Sequence, residues 1–469
     1  MKKYRLAAPE ICAPEQRSFW LQDAGGSVAT QALVGNEETD VAIVGGGFCG
    51  LWTALRLRER DRNLKITILE ADFCGSGASG RNGGQVHSWF AEIDLLEKLV
   101  GPEEARSLCN ASVDAIDELA ELQMSGRIDM KLRLDGWYWT ASSKAQEGAW
   151  QNAEGLCAAQ GIKPFETCDA ATLHKETGSS ASYQGIVEKH AGTVQPACLA
   201  LGLRDLALSQ GISIHEASPV LSLLQGETWQ LSCPQGQVQA KKVVICNNAW
   251  ASAIPELRRY LYVVASQVIA TEPAADILDR LGWKDGKAIC DSQANVLYYQ
   301  RTQEGRVIFG RGSGEVAYKG LMGPEFNQSP NHGSDNKKEL RRVYPELANL
   351  SVTHDWAGPV DCMVEHLPVF GEMEDAPGLF YGVGFNGTGI AQTPVAGHIL
   401  ASLVLGADDK WSRSGLVGLT RRTALPPEPL RYLGARVVRH AICKRNDLEI
   451  QNKKVGWINR KISELAPSA

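Results

Sequence analysis

The sequence predicts an α/β chain: a Rossmann-like unit with a parallel sheet, a second unit built on an antiparallel sheet, and a basic helical tail. Three observations carry this. Asp40-Val-Ala-Ile-Val44, the glycine turn Gly45 to Gly50, the apolar stripe from Leu51 and the run Lys65-Ile-Thr-Ile-Leu69 read as strand, turn, helix, strand, which is a βαβ unit. Between Leu257 and Ser351 the texture changes to alternating strands, clearest in Val296 to Arg301 and Arg306 to Phe309 around the turn Gln303-Glu-Gly305. From Arg421 onward eleven Lys and Arg face four Asp and Glu, a net +7 on a chain whose total is −6.

The 469 residues exceed what one core comfortably serves, so several structural units are expected. A hydrophobic share of 44% with 22% charged residues is that of an ordinary soluble protein, and the net negative charge argues against a nucleic-acid surface. The start, Met1-Lys-Lys-Tyr-Arg-Leu6, lacks the apolar core of a secretory signal, and no apolar run is long enough to span a bilayer. A cytoplasmic location follows as the expectation. Twelve cysteines without a CxxC pair fit reduced, buried thiols, and no metal site is assigned.

In chain order, residues 1–38 read as a polar lead-in, with Phe19-Trp20 as an aromatic pin to the body. Glu92 to Met124 and Leu199 to Ser209 read as helices. Arg133 to Thr140, Ile212 to His215 and Lys242 to Cys246 read as strands, and Trp229 to Ser232 against Gln237 to Ala240 as a hairpin. After Trp356 the chain returns to glycine-rich loop and helix, the latter Val395 to Leu405. In the tail, Leu430, Leu433, Val437 and Ala441 form an apolar helical stripe with basic flanks.

Gly45-Gly-Gly-Phe-Cys-Gly50 fits G-x-G-x-x-G between a strand and a helix, where backbone N–H groups and the helix dipole meet a pyrophosphate. Glu70 ends the next strand at the spacing expected of a carboxylate that accepts ribose hydroxyls, and it disfavours the extra phosphate of NADP. This motif does not separate NAD from FAD. A second glycine loop, Gly75 to Gly84, follows at once, and a third, Gly382 to Gly389, precedes a helix. Three backbone patches free of bulky side chains suit a long cofactor with a flat ring, and a helix N-terminus favours negative charge on it when reduced.

Asp40 to Gly50 with Glu70, Gly77-Ala-Ser-Gly-Arg-Asn-Gly-Gly84 and Gly382 to Gly389 together resemble the FAD-dependent amine and amino-acid oxidoreductases of the D-amino-acid oxidase superfamily. The second motif is the most specific and is similar to the branch holding γ-glutamylputrescine oxidases and presumed aminophosphonate oxidoreductases. The resemblance runs from about Asp40 to Gly406, and the segment from Pro426 looks most like the aminophosphonate-associated group.

The resemblance implies a glutathione-reductase-like FAD domain from 39–105, 185–256 and 355–410, a substrate domain from 106–184 and 257–354, and an extension over 411–469. It implies that Gly45, Gly47, Phe48, Cys49 and Gly50 serve the diphosphate, and Glu70 with Ala71 the adenosine ribose. Gly77, Ala78, Ser79, Arg81, Asn82, Gly83, Gly84 and Gln85 would line the path to the flavin ring; Val220 would meet the adenine. Gly384, Asn386, Gly387, Thr388, Gly389 and Ile390 would approach the flavin. Thr388 and Ala391 stand where sarcosine-oxidase-like members often carry His and Lys, which leaves oxidase and dehydrogenase open. Cys362 is out of register with the cysteine that binds FAD covalently in those members, so a noncovalent cofactor is expected.

The implied reaction is oxidation of a primary or secondary amine, with hydride passing from the α-carbon to the flavin and the imine hydrolysed afterwards. Oxygen or another acceptor takes the electrons. Candidate substrates are aminophosphonates, γ-glutamylputrescine-like amines and amino acids. Two other readings keep the dinucleotide site: a hydroxy-acid or polyol-phosphate dehydrogenase, and a non-catalytic binding subunit. The alternating sheet offers a substrate wall in which Tyr299 and Arg301 share a face and Tyr298 takes the other. Tyr299 and Arg301, with Arg311 and with Thr388 from the third loop, are the candidate catalytic residues, the arginines for an anionic group and the bland alternative being surface ion pairs. His87, His190 and His366 are candidates whose ordinary reading is structural. The tail is expected to pack on the acidic body or a second subunit, in a monomer or homodimer; an anionic lipid surface is the other partner its composition suits.

Overall fold

The computed structural model describes all residues except 1, 7, 26–28, 313 and 466–469. Two sheets organise the chain. The first has nine strands, and its centre is the expected parallel unit: Gly35–Val44 pairs with Ile66–Leu69 on one side and with Gly236–Ile245 on the other, and Ile66–Leu69 pairs with Ser213–His215. Val41 to Val44, Ile66 to Leu69 and Val243 to Ile245 are all buried, as strands covered on both faces must be.

The helix Phe48–Arg60 covers this sheet and packs against Gln392–Leu405, a helix buried over most of its length. The expected hairpin forms, and its second arm and the expected buried strand after it prove to be one strand. Gly236–Ile245 pairs with Trp229–Ser232 through its first half and with Leu379–Val383 through its second.

The second sheet has eight strands in the order Val352–Cys362, Tyr262–Thr271, Val307–Arg311, Leu297–Arg301, Ala288–Asp291, Trp137–Ala141, Gln184–Glu188, Phe165–Asp169. All neighbours are antiparallel except Ala288–Asp291 with Trp137–Ala141, which are parallel. Val352–Cys362 belongs to this sheet, so the expected boundary at 355 falls inside a strand of the antiparallel unit. Gln184–Glu188 likewise lies in the second sheet rather than in the dinucleotide unit.

Two further expectations change. The lead-in is more than polar tether: Lys3–Arg5 is an edge strand on Ser222–Gln225, with buried Tyr4 stacked 6.4 Å from Trp229. The Glu92 to Met124 helix is two helices, Ile93–Val100 and Pro102–Met124, because Gly101 takes φ of 85° and Pro102 opens a new first turn. The aromatic pin holds as read. Phe19 and Trp20, in the helix Phe19–Asp23, are buried against Ala197, Ile308 and Trp356.

Candidate functional site

The turn after Gly35–Val44 is shaped by contacts that admit no side chain. Gly45 sits at φ of 111°, and a Cβ there would lie 2.6 Å from the Cys246 carbonyl; one on Gly50 would meet the Gly45 carbonyl at 2.0 Å. The helix N-terminus is thereby drawn over the end of the sheet. Glu70 reaches back across the turn, accepting from the Gly46 N–H at 2.7 Å and the Asp72 N–H at 3.0 Å.

The second glycine loop is held from outside by its carbonyls. Ser18 Oγ donates to Gly80 O at 2.6 Å, Trp356 Nε1 to Arg81 O at 2.8 Å, Trp20 Nε1 to Asn82 O at 2.9 Å, and Gln300 Nε2 to Gly83 O at 2.6 Å. Four successive carbonyls are bound by side chains from three elements, the N-terminal helix with its cap and two strands. At Gly83 a Cβ would lie 2.5 Å from the Tyr298 ring, so the aromatic face rests directly on backbone. Ser79 Oγ accepts from the Phe48 N–H at 2.9 Å and ties this loop to the first.

The third loop is organised by Asp361, which is fully buried. Its carboxylate accepts from the Gly384 N–H at 2.5 Å, the Phe385 N–H at 3.2 Å and Asn248 Nδ2 at 2.6 Å, while burial raises its pKa to about 7. Asn386, at φ of 53°, donates its side-chain amide to the Gly384 carbonyl at 2.5 Å.

All three loops face one cavity of about 1180 Å³. It is lined by Gly45, Gly47, Phe48, Cys49, Glu70 and Ala71 at one end, then by Gly77, Ala78, Ser79, Arg81, Asn82, Gly83 and Gln85, and by Asn386, Gly387, Thr388, Gly389 and Ile390; Val220 also borders it. Gly50, Gly84 and Gly384 stand behind this wall. Gly50 packs on Gly45, Gly84 on Gln300 and the Val194 carbonyl, and Gly384 on Met363. Arg81 is buried rather than a surface ion pair, donating to Ser76 O at 2.7 Å and Asn327 Oδ1 at 2.7 Å.

The residues fit an extended dinucleotide. Along the wall, Asn247 Oδ1, Asn248 Oδ1 and Gln392 Nε2 are buried without a hydrogen-bond partner among the described residues. Buried polar atoms left so are costly, and a polar ligand would satisfy them. Glu70, both of whose oxygens accept backbone N–H groups, and the helix N-terminus at Phe48 line the cavity, where they would hold ribose hydroxyls and a diphosphate.

The substrate wall needs correction. Tyr299 and Arg301 do share a face, but it is the face turned away from the cavity. Tyr299 stacks on Phe309 at 5.1 Å and meets Trp283 and Tyr344 edge-on in a separate core. Arg301 bonds Asp279 Oδ1 at 2.6 Å and the Trp283 carbonyl. Arg311 pairs with Asp335 at 3.5 Å, also outside the cavity. Tyr298 is the residue that lines it, its hydroxyl 2.7 Å from Ser266 Oγ. Of the four candidate catalytic residues only Thr388 borders the cavity.

Next to the second loop lies a recess that sequence reasoning missed. Trp137 Nε1 donates to Gln85 Oε1 at 3.1 Å; His87 stacks on Trp137 at 4.7 Å; Trp139 follows at 5.9 Å. Glu92 and Asp291 add carboxyl groups to this lining. Asp291 is spent on Leu297 N–H and Ser142 Oγ, each 2.9 Å away, whereas Glu92 Oε2 has no hydrogen-bond partner among the described residues. Burial and the nearby Glu188 push Glu92 up to about 8, and burial pushes His87 down to about 4. His366 also lines the cavity, and His190 does not: it bonds Asp117 at 2.8 Å on the surface. A period-2 strand around Trp137 and Trp139 was the available signal, and it does not say which face meets a ligand.

Among known proteins, residues 40–403 match the DAO family, described as FAD dependent oxidoreductase. The chain is 27% identical over 404 residues to a probable oxidoreductase OrdL of Haemophilus influenzae, covering 84% of this chain and 90% of the relative. It is 28% identical over 379 residues to the gamma-glutamylputrescine oxidoreductase of Escherichia coli, covering 79% and 85%. The fold is that of the glycine oxidase from Geobacillus kaustophilus, with a TM-score of 0.64 and 20% identity over 80% of this chain and 96% of the other. The L-proline dehydrogenase from P. horikoshii also scores 0.64, at 18% identity over 80% and 95%.

Two outcomes test this geometry. Replacing both indole donors, Trp20→Phe with Trp356→Phe, is expected to cost about 2 kcal/mol of stability, roughly 1 per lost hydrogen bond, and to weaken FAD retention through gel filtration while secondary structure is kept. Tyr299→Phe should leave turnover within about twofold, and Tyr299→Ala should cost roughly 3–5 kcal/mol in denaturant titration, as expected for a core residue and not for one that touches substrate.

Proposed function

The chain belongs to the DAO family of FAD-dependent oxidoreductases, and from that premise we propose that it oxidises a primary or secondary amine, holding FAD without a covalent bond. When bound, FAD supplies an acceptor for a hydride. The observation that carries the amine reading is the recess of Glu92, Trp137 and Trp139 beside Gln85, a carboxyl with an unpartnered oxygen among indole rings. Indole faces and a carboxyl suit an alkylammonium group. The name of the E. coli relative, gamma-glutamylputrescine oxidoreductase, points to the same class.

An alkylamine has a pKa near 10.4, that of a lysine side chain, and reaches the site protonated. Glu92, raised to about 8, is a base matched to take that proton on its carboxylate as the amine leaves water. The recess then holds a neutral amine, while Tyr298 and Gln85 fix the wall on which it rests. An anionic tail on the substrate, as in an aminophosphonate or ω-amino acid, would find its cations on the C-terminal arm, where Arg431, Arg439 and Arg445 line the cavity, and not on the sheet. These arginines also make contacts within the chain, such as Arg439 with Glu315 at 3.1 Å and Arg445 with Glu449 at 2.7 Å.

Anaerobic mixing with a panel of amines, amino acids, hydroxy acids and alcohols reads the reaction class directly. Amines are expected to bleach the visible flavin absorbance; bleaching by hydroxy acids alone would assign the alternative reaction, and no bleaching by any would assign a non-catalytic subunit. Repeating the assay with oxygen and with an artificial acceptor separates oxidase from dehydrogenase.

The pH profile tests the base. Glu92 must be ionised to accept a proton, so kcat/KM is expected to rise with pH through about 8. Glu92→Gln should lower kcat/KM about 100-fold near pH 8, with the deficit narrowing toward pH 10 as free amine becomes abundant in solution. A deficit unchanged across that range would assign Glu92 a structural role.

A further inference from the structure

The C-terminal arm presents two faces with different partners. Along the helix Leu430–Ile450, Arg431, Gly434, Val438, Ile442 and Arg445 recur at three- and four-residue spacing and line the cavity. The arm packs on the body, one of the two partners expected for it, through Arg431 on the Arg258 and Leu261 carbonyls and Arg439 on Glu315, but its apolar stripe is left largely uncovered. Leu433 and Val437 are 54% and 56% exposed and do not line the cavity, Leu430 is 64% exposed at the cavity's edge, and Ala441 is covered, its carbonyl accepting from Asn459 of the helix Trp457–Ser463.

Apolar exposure continues on two neighbours of that stripe. Trp457 and Ile458 begin the last helix at 74% and 58% exposure. The turn carrying Tyr318 and Leu321, themselves 41% and 64% exposed, abuts the arm, with Tyr318 5.3 Å from Tyr432 and the Lys319 N–H on Glu428 at 3.2 Å. Cations flank these groups: Arg436 and Lys444 are exposed beside the stripe, and Lys453, Lys454 and Arg460 are exposed around the last helix.

We propose that this face, formed by the outer side of the arm and the Tyr318–Leu321 turn, seats the protein on an anionic lipid surface. The charge pattern selects that occupant. The segment from Arg421 carries +7 while the rest of the chain carries −13, so the cations are segregated onto the element that exposes the apolar side chains. Leu, Val and Trp side chains bordered by Lys and Arg are the pattern of a helix lying in a membrane interface. No helix among the described residues is long and apolar enough to cross a membrane, so the contact is with the surface. Because the adjoining side of the same helix lines the cavity, the lipid face and the cavity share one element.

The test is co-sedimentation of the FAD-loaded full chain with vesicles of phosphatidylcholine alone or mixed with phosphatidylglycerol. Binding to the mixed vesicles, reduced by added salt, is expected. Arg436→Glu with Lys444→Glu should weaken it by about 25-fold or more, taking about fivefold per charge. Leu433→Ser with Val437→Ser should weaken it while visible spectrum and melting temperature stay unchanged. No binding to either vesicle, or equal binding to both that charge reversal leaves unaltered, overturns the proposal. So does a dimer in light scattering that Leu433→Ser dissolves without vesicle binding, which would assign the face to a second copy of the chain.

Discussion

The cavity depends on the four carbonyls of Gly80 to Gly83, held by side chains from three parts of the fold. A glycine-rich loop loses more chain entropy on ordering than any other composition and has little apolar surface to offset it. Local hydrogen bonding alone would leave such a loop mobile. Here the N-terminal helix contributes Ser18 and Trp20, the outer strand of the second sheet Trp356, and an inner strand Gln300. The two sheets are therefore joined through the loop that both must face. This also gives the N-terminal segment its role, since without Phe19–Asp23 two of the four carbonyls lose a donor.

That dependence marks where sequence reading stops. The βαβ unit was legible because each of its parts is local: a β-rich run, glycines at fixed spacing, an apolar stripe, and an acid at the end of the next strand. The clamp was not, because its donors lie 62, 217 and 275 residues from their acceptors. Alternation in Val296 to Arg301 placed Tyr298 and Tyr299 on opposite faces, but period 2 assigns no face to a ligand. The choice is tertiary. Trp283, Tyr344 and Phe309 form an aromatic core that accepts Tyr299, while Gly83 and Gly310 leave room for the Tyr298 ring, a Cβ on either coming within 2.5 Å of it. Two glycines on separate elements decided what the tyrosine pair alone could not.

The tail repeats the lesson. A 3.6-residue period identified the helix and its apolar stripe, and an arm packed on the body or on a second subunit was the expectation drawn from it. The structure turns toward the cavity a half-buried face of valine, isoleucine and arginine stems, because arginine carries three methylenes that cover apolar surface while its guanidinium finds acceptors. Arg431, for instance, donates to the carbonyls of Arg258 and Leu261 at 2.7 and 3.1 Å. A count of apolar residues undervalues such a face, so the stripe with the stronger hydrophobic pattern is the one left to solvent.

Raised carboxyl pKa values around the cavity do not all mean chemistry, and hydrogen-bond satisfaction separates the cases. Asp361 is pushed up by burial, yet its oxygens are occupied by two loop N–H groups and an asparagine amide; it shapes the third glycine loop and has little capacity left for a ligand. Asp291 is likewise raised by burial and spent on its own turn and Ser142. Glu92 has the same cause of shift, with Glu188 adding repulsion, but its Oε2 meets no donor among the described residues. An unmet buried oxygen costs free energy that a bound cation or proton donor recovers. A perturbed carboxyl that the protein itself satisfies is architecture, and one left unsatisfied at a cavity wall is where a substrate has something to supply.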